Sequence, residues 1–234
     1  MAKKRRILRT IRKLVLWAIL LFFGSSVFFA ILYRFVPPPF TPLMLIRLAE
    51  QAVDGKPLRL KKDWVSLEKI SPKLIQAVVA AEDNAFLDHY GFDLEAIKKA
   101  QEYNKKHKRK KGGSTISQQT AKNVFLWPRR SWFRKGLEVY FTGLIELFWG
   151  KKRIMEVYLN VIEMGNGIYG AEMASYANFK KPAARLTASE AALLAGILPN
   201  PRKFSASRPS SYTKRRQQRI LLIMNQLEPV SFGK

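Results

Sequence analysis

The chain has 234 residues, with 42 Lys and Arg against 17 Asp and Glu, and a formal charge of +25. That length suits one anchored domain with a proper core and is too short for two large ones. Cysteine is absent, which excludes a disulfide framework and any thiolate metal site, while so large a charge calls for an anionic partner: nucleic acid, an acidic membrane surface or a phosphorylated substrate.

Residues 3 to 13 carry seven basic side chains, Lys3, Lys4, Arg5, Arg6, Arg9, Arg12 and Lys13. Twenty uncharged residues follow, Leu14 to Tyr33, enough for a helix to span a bilayer core. The basic cluster predicts a cytoplasmic N-terminus, with residues beyond about 36 on the other side. A cleaved signal peptide would have a shorter apolar run ending at a small-residue site; here the run ends in Tyr33-Arg34-Phe35-Val36, the pattern of an uncleaved anchor. Pro37-Pro38-Pro39 makes a stiff spacer. Residues 42 to 50 predict a short amphipathic helix, and Val53-Asp54-Gly55-Lys56-Pro57 a turn. Ser66-x-x-Lys69 matches a penicillin-binding pattern, but no Ser-x-Asn or Lys-Thr-Gly follows it, so it reads as a chance match.

Leu74, Ile75, Val78 and Val79 recur at helical spacing, and Ser71-Pro72 upstream is a start signal with a hydroxyl cap. The run delivers Glu82 and Asp83 and is followed by Phe86, His89 and Gly91. A carboxylate ending an apolar helix is partly desolvated, which raises its pKa toward the range of acid–base catalysis. Asp93 opens another helix that decays into the charge run 105–111, a solvated segment better suited to anionic lipid headgroups than to nucleic acid. In Gly112-Gly113-Ser114-Thr115-Ile116-Ser117-Gln118-Gln119-Thr120-Ala121-Lys122-Asn123 the glycines free the backbone and Ser114 or Thr115 can cap a helix. Such a helix start, with a lysine further on, suits a phosphate or pyrophosphate.

These residues carry a resemblance. Glu82-Asp83-x-x-Phe86-x-x-His89-x-Gly91 followed by Gly112 to Gln119 resembles the peptidoglycan glycosyltransferases of family 51, which occur alone and as the first catalytic domain of bifunctional penicillin-binding proteins. Arg134-Lys135-x-x-Glu138 with Glu146 is similar to the family's third motif. Lys151-x-x-Ile154-Met155-Glu156-x-Tyr158-Leu159-Asn160 is similar to the fourth. Leu186-Thr187 through Glu190 to Gly196, with Pro199-Asn200-Pro201, is similar to the fifth. Together these cover roughly residues 65 to 205. Two departures stand out: Asn178-Phe179-Lys180-Lys181 where members have a Tyr-Phe-Gly-Lys-like run, and Thr142 where alanine is usual. They bear on local packing and remove neither a carboxylate nor a phosphate-facing cation.

Between the motifs, residues 123 to 133 mix Trp and Arg with apolar residues, which suits a membrane interface or a buried cluster; the resemblance favours a lobe that dips into the bilayer. A helix is expected from Trp132 to Trp149, with Phe133, Leu137, Tyr140, Phe141, Leu144 and Phe148 on its apolar face and Gly150 ending it. Another is expected over 151–163. Gly165, Gly167 and Gly170 then read as a flexible turn. Thr187-x-x-Glu190 is a capping box, so Glu190 reads as a cap, and Glu156 and Tyr158 as core or supporting residues. Tyr212 to Leu227 predicts a basic helix with Ile220, Leu221, Met224 and Leu227 inward.

The period is helical nearly throughout, so the expected fold is mostly α. The resemblance implies a transmembrane helix plus a lysozyme-like two-lobed domain, divided as a basic tail (1–13), anchor (14–36), linker and membrane-proximal segment (37–64) and glycosyltransferase domain (65–234). It implies polymerisation of lipid II: an acceptor sugar hydroxyl attacks the anomeric carbon of a lipid-pyrophosphate-linked glycan, inverting α to β. Glu82 is then the base. Lys122, Arg134 and Lys135 receive the charge of the departing pyrophosphate, and Glu138 assists departure or positions a divalent ion. Ser114, Thr115, Gln118, Gln119 and Asn123 complete the donor site. No cofactor is required, although Mg2+ or Mn2+ is compatible. Lipid II, the growing glycan, the membrane and division or elongation proteins are the implied partners, with no nucleic acid. The implied location is the bacterial inner membrane, single-pass, with a periplasmic catalytic domain. With no transpeptidase segment in view, a monofunctional enzyme is expected. A membrane-anchored glycan-cleaving enzyme, with Glu82 as acid, and a non-enzymatic basic membrane protein are the competing classes.

Overall fold

The computed structural model describes residues 2–108, 111–129 and 131–233, with side chains from residue 6 onward. Lys3, Lys4 and Arg5 of the basic tail thus lie outside the described side chains, and Arg109, Lys110 and Arg130 outside the described residues. The chain divides into two compact units, Met1–Pro37 and Pro38–Lys234. The first consists of one helix, α1 (Ala2–Phe35), whose segment Arg6–Phe35 is long and apolar enough to cross a membrane.

In the second unit α2 (Pro42–Val53) runs three residues past the expected end, capped by Thr41, whose side chain accepts from Met44 N. Helix α3 (Pro72–Glu82) starts at Pro72 as expected, but Ser71 is not a side-chain cap; its hydroxyl donates to Leu186 O at 3.0 Å, tying the helix start to a distant loop. Asp93 caps α4 (Leu94–Lys106). Thr115 opens α5 (Ile116–Phe125) with a full capping box to Gln118. Then follow α6 (Trp132–Phe148), α7 (Lys151–Val161), α8 (Ala171–Phe179), α9 (Ala188–Ile197) and α10 (Ser211–Gln226). The Thr187–Glu190 capping box is formed at the start of α9.

Two helical groups carry the core. Helix α9, whose residues from Ala191 to Ile197 are all buried, packs on α3 and α10, while α5 packs on α6 and α7. On α10, Ile220 is buried and Leu221, Met224 and Leu227 are half-buried. Gln76 of α3 fixes the chain beyond α10 by donating to Glu228 O at 3.0 Å and accepting from Val230 N at 2.8 Å.

Three further sequence expectations change. The segment after α7 is a small sheet, where the sequence suggested only a helix end and a flexible turn. Strands β1 (Lys61–Lys62), β2 (Glu163–Gly165) and β3 (Ile168–Tyr169) have the order β1-β3-β2, with β1 parallel and β2 antiparallel to β3. Gly167 is required there: its φ is +69°, and a Cβ would lie 2.4 Å from Arg59 O. Second, α6 ends on Trp149 as its C-cap, while Gly150 caps the start of α7. Third, the buried face of α6 is Arg134, Glu138, Phe141, Thr142 and Ile145, whereas Trp132 and Phe133 are 92% and 72% exposed.

The departures at Lys180 and Thr142 acquire a physical meaning. Lys180 caps α8 in the left-handed region, φ 60°, a conformation that favours glycine. Replacing Lys180 with Gly should therefore stabilise the protein by about 1 kcal/mol; a denaturant midpoint that falls would refute the strain. Thr142 is fully buried and its hydroxyl donates to Glu138 O at 2.6 Å, so the extra polar atom is satisfied.

Candidate active site

Glu82 is the last residue of α3. The apolar spacing that buries Leu74, Ala77, Val78 and Val79 also carries this carboxylate inward until its side chain is only 15% exposed. Burial raises its pKa. A hydrogen bond from Gln119 and the charges of Arg216 and Lys122 oppose that rise, and neighbouring Asp83 adds to it. Gln119 Nε2 donates to Glu82 Oε2 at 2.9 Å, and Arg216 Nη2 lies 3.3 Å from Oε1. Behind Gln119, the buried Tyr158 hydroxyl donates to Gln119 Oε1 at 3.4 Å.

Asp83 has a different task. Its carboxylate accepts from Ile116 N, at the first turn of α5, at 2.9 Å, and from His89 Nε2 at 3.0 and 3.2 Å. A carboxylate at a helix N-terminus meets free N–H groups and a favourable dipole. Burial nevertheless pushes its pKa up, against the opposing bonds from Ile116 and His89. Gly91 has φ +83°, and a Cβ there would fall 2.7 Å from Thr142 Cγ2. Its carbonyl accepts from the Thr115 hydroxyl at 2.7 Å. Phe86, fully buried, meets His89 edge-on and lies under the Lys151 ammonium at 4.8 Å. The Asp83, Phe86, His89 and Gly91 pattern thus joins the end of α3 to the start of α5, which sets Glu82 against Gln119.

Beside Glu82 opens a cleft of about 660 Å³, lined by Gly112, Ser114, Gln118, Gln119, Lys122 and residues of the α6 start. Arg134, Lys135 and Glu138 lie there on one edge of α6, as their i, i+3 and i, i+4 spacing requires. Arg134 Nη1 donates to Glu138 Oε2 at 2.6 Å and Lys135 Nζ to Oε1 at 2.5 Å. Arg134 and Glu138 are buried. Lys122 lines the cleft and feels the charge of both carboxylates. Burial lowers its pKa; Glu138 opposes that most, Arg134 and Lys135 add to it, and Glu82 again opposes. Among the described residues the buried Nε atoms of Arg134 and Arg216 have no hydrogen-bond partner.

Of the residues proposed from sequence, Ser114, Gln118, Gln119, Lys122, Arg134, Lys135 and Glu138 come together around this cleft, with Glu82 joined through Gln119. Thr115 and Asn123 stand apart from the lining. The Thr115 hydroxyl serves Gly91 and the capping box, and Asn123 Nδ2 donates to Gln119 O at 2.9 Å within α5. Glu146 lies behind, accepting from Ser117 and Lys151 at 2.5 and 2.7 Å. Glu156 accepts from Leu67 N, and Asn160 pairs with both backbone groups of Val65. Arg216 was missed. Its signal was position: it sits one turn before the buried Ile220, hence on the inward face of α10.

Glu138 gives both oxygens to cations, a donor set suited to an anionic ligand more than to a metal. Among the described residues no group of three His, Asp or Glu side chains is placed to hold a metal ion. A second, more open cavity of about 430 Å³ is lined by Arg47, Asn166, Asn200, Arg202 and Lys203. Glu50 and Glu163 stand within ion-pair distance of Arg47, and Glu50 of Arg202, so much of its charge is already balanced.

The transglycosylase family model matches residues 51–225. A biosynthetic peptidoglycan transglycosylase of Bdellovibrio bacteriovorus is 58% identical over 213 residues, covering 91% of this chain and 85% of the relative. Relatives of the same description from Bacteroides thetaiotaomicron and Caulobacter vibrioides are 54% and 53% identical, with 94% and 92% of this chain and 88% and 92% of the relatives covered.

Proposed function

Since the chain belongs to the transglycosylase family and is a peptidoglycan glycosyltransferase that polymerises glycan strands for the cell wall, we propose that Glu82 is its general base and Glu138 its second active-site carboxylate. The donor is a glycan linked through pyrophosphate to a lipid, with lipid II the monomer. Glu82 takes the proton of the acceptor hydroxyl as its oxygen attacks the anomeric carbon; the bond to pyrophosphate breaks on the opposite face, inverting α to β. Negative charge grows on the departing oxygen, where Lys122, Arg134 and Lys135 stand. Ser114, Gln118 and Gln119 hold the donor. The observation that carries this reading is a cleft of adequate size that gathers Lys122, Arg134, Lys135 and Glu138, with the desolvated Glu82 joined to its lining through Gln119. A glycan-cleaving enzyme expels a neutral sugar hydroxyl and has no use for three cations there.

The reading extends to the membrane. Helix α1 serves as a single-pass anchor with its N-terminus cytoplasmic and the catalytic domain in the periplasm. Trp132 at the cleft edge, with Phe133, Val139 and Leu147 of α6, exposes apolar surface that suits the acyl boundary. Division or elongation proteins are further partners in this reading.

Labelled lipid II incubated with the detergent-solubilised chain should give a ladder of glycan polymers. Lys122→Met keeps the stem and removes the charge, and should slow the ladder about 10²–10³-fold. Wild-type-like rates in that variant would remove Lys122 from the leaving-group role. Soluble fragments released from preformed glycan, without a ladder, would favour the cleaving class.

A further inference from the structure

We infer that Tyr158 is a positioning residue that holds the Gln119 side-chain amide in the one orientation that keeps Glu82 ionised. The inference rests on the reading of Glu82 as base. The amide stands between two groups: Tyr158 Oη donates to Gln119 Oε1 at 3.4 Å, and Gln119 Nε2 donates to Glu82 Oε2 at 2.9 Å. Turned by 180°, the amide would present its oxygen to Glu82 and its NH2 to Tyr158. An ionised carboxylate only accepts, so the turned amide requires Glu82 to carry a proton.

Tyr158 breaks the symmetry between these states. Its side chain is fully buried, and Gln119 Oε1 is its one hydrogen-bond partner among the described residues. In the turned state the hydroxyl proton has no acceptor, and a buried donor without a partner disfavours that state by roughly tenfold or more. The hydroxyl remains a donor throughout the working range: burial, with Glu82 and Asp83 nearby, holds its pKa well above the ordinary value. The hydrogen-bond chain therefore runs one way, from Tyr158 through Gln119 to an ionised Glu82.

Other charged groups face Glu82 from each side. Arg216 of α10 and Lys122 of α5 favour its ionised form, and Asp83, its neighbour in the chain, disfavours it. Those groups set a background that Tyr158→Phe leaves in place. Removal of the hydroxyl abolishes only the penalty on the turned amide.

The test is the pH dependence of Glu82 itself. In the full-length chain with 13C-labelled glutamate carboxyl groups, the Glu82 resonance, assigned with Glu82→Gln, is followed through a pH titration alongside the pH–rate profile of lipid II polymerisation. Tyr158→Phe should move the Glu82 midpoint and the acid limb of kcat upward by about one pH unit, the equivalent of tenfold. Activity on the alkaline plateau should change little. In a Gln119→Ala background the same substitution should move neither. A folded Tyr158→Phe protein whose midpoint stays in place, or one that shifts equally without Gln119, would overturn the inference. Should Tyr158→Phe fail to fold, ring-fluorinated tyrosine at position 158 supplies a stronger donor of nearly the same shape and should move the midpoint down; no movement would again overturn it. An active Glu82→Gln enzyme would instead refute the base assignment, a result separable from the titration.

Discussion

Glu82→Gln should lose glycan polymerisation by about 10²–10⁴-fold, the range supplied by a positioned general base, while its melting temperature stays at or above that of the wild type. The two halves of this expectation have one cause. Burial raises the pKa of Glu82, so the folded state holds its ionised form less well than the unfolded state does. A carboxylate shifted this way favours folding most below its unfolded pKa, and that advantage is lost as pH rises through the folded value. At neutral pH the ionised side chain is thus a cost to the fold, and the neutral isostere removes it. The substituted amide keeps one oxygen, enough to accept from Gln119 or from Arg216 but not from both, while the shape of the side chain and its packing change little. The measurements are the lipid II ladder and a thermal melt on one preparation. A large fall in melting temperature would make Glu82 a structural residue, and a variant retaining near-full activity would remove it as the base.

Glu138→Gln should be costly on both counts. Arg134 and Glu138 are both buried and paired at 2.6 Å. Removing one partner of such a pair leaves an uncompensated charge, typically about 3–5 kcal/mol. The bond to Lys135 adds little, because that lysine is 40% exposed and solvent screens it. For a domain of this size the loss corresponds to roughly 6–20 °C in melting temperature. Polymerisation should fall by at least about 10²-fold, since the cation cluster loses the carboxylate that orders it. Inorganic pyrophosphate gives a more specific readout. With Glu138 neutral, Arg134, Lys135 and Lys122 face the cleft without an internal counter-ion, so pyrophosphate should raise the melting temperature more for the variant than for the wild type. Equal stabilisation of the two proteins would detach the cluster from the leaving-group site.

How much of this could be read from the chain depends on which forces act locally. The apolar spacing of residues 74 to 79 sufficed to predict a buried helix ending at the Glu82-Asp83 pair, and Ser114 or Thr115 offered a cap for α5, a choice that the fold settles on Thr115. Arg134, Lys135 and Glu138 share an edge by helical geometry alone. The inward face of α6 was misread because apolar periodicity assumes that the buried side is the apolar one. Here the buried side carries an ion pair, and Phe133 turns outward.

Sequence by itself therefore determined the helices, the long apolar segment at the N-terminus, the family and the carboxylates and cations that could do the chemistry, because period, capping and charge spacing act within one or two turns. Tertiary structure decided what surrounds Glu82: Arg216 arrives from 134 residues away and Tyr158 reaches Gln119 from 39 away. It also decided that Asp83 ties α3 to α5 while its neighbour Glu82 faces Gln119 and Arg216. The physical reason is that desolvation and hydrogen-bond direction, which set the protonation of a buried carboxylate, depend on which distant segments close around it.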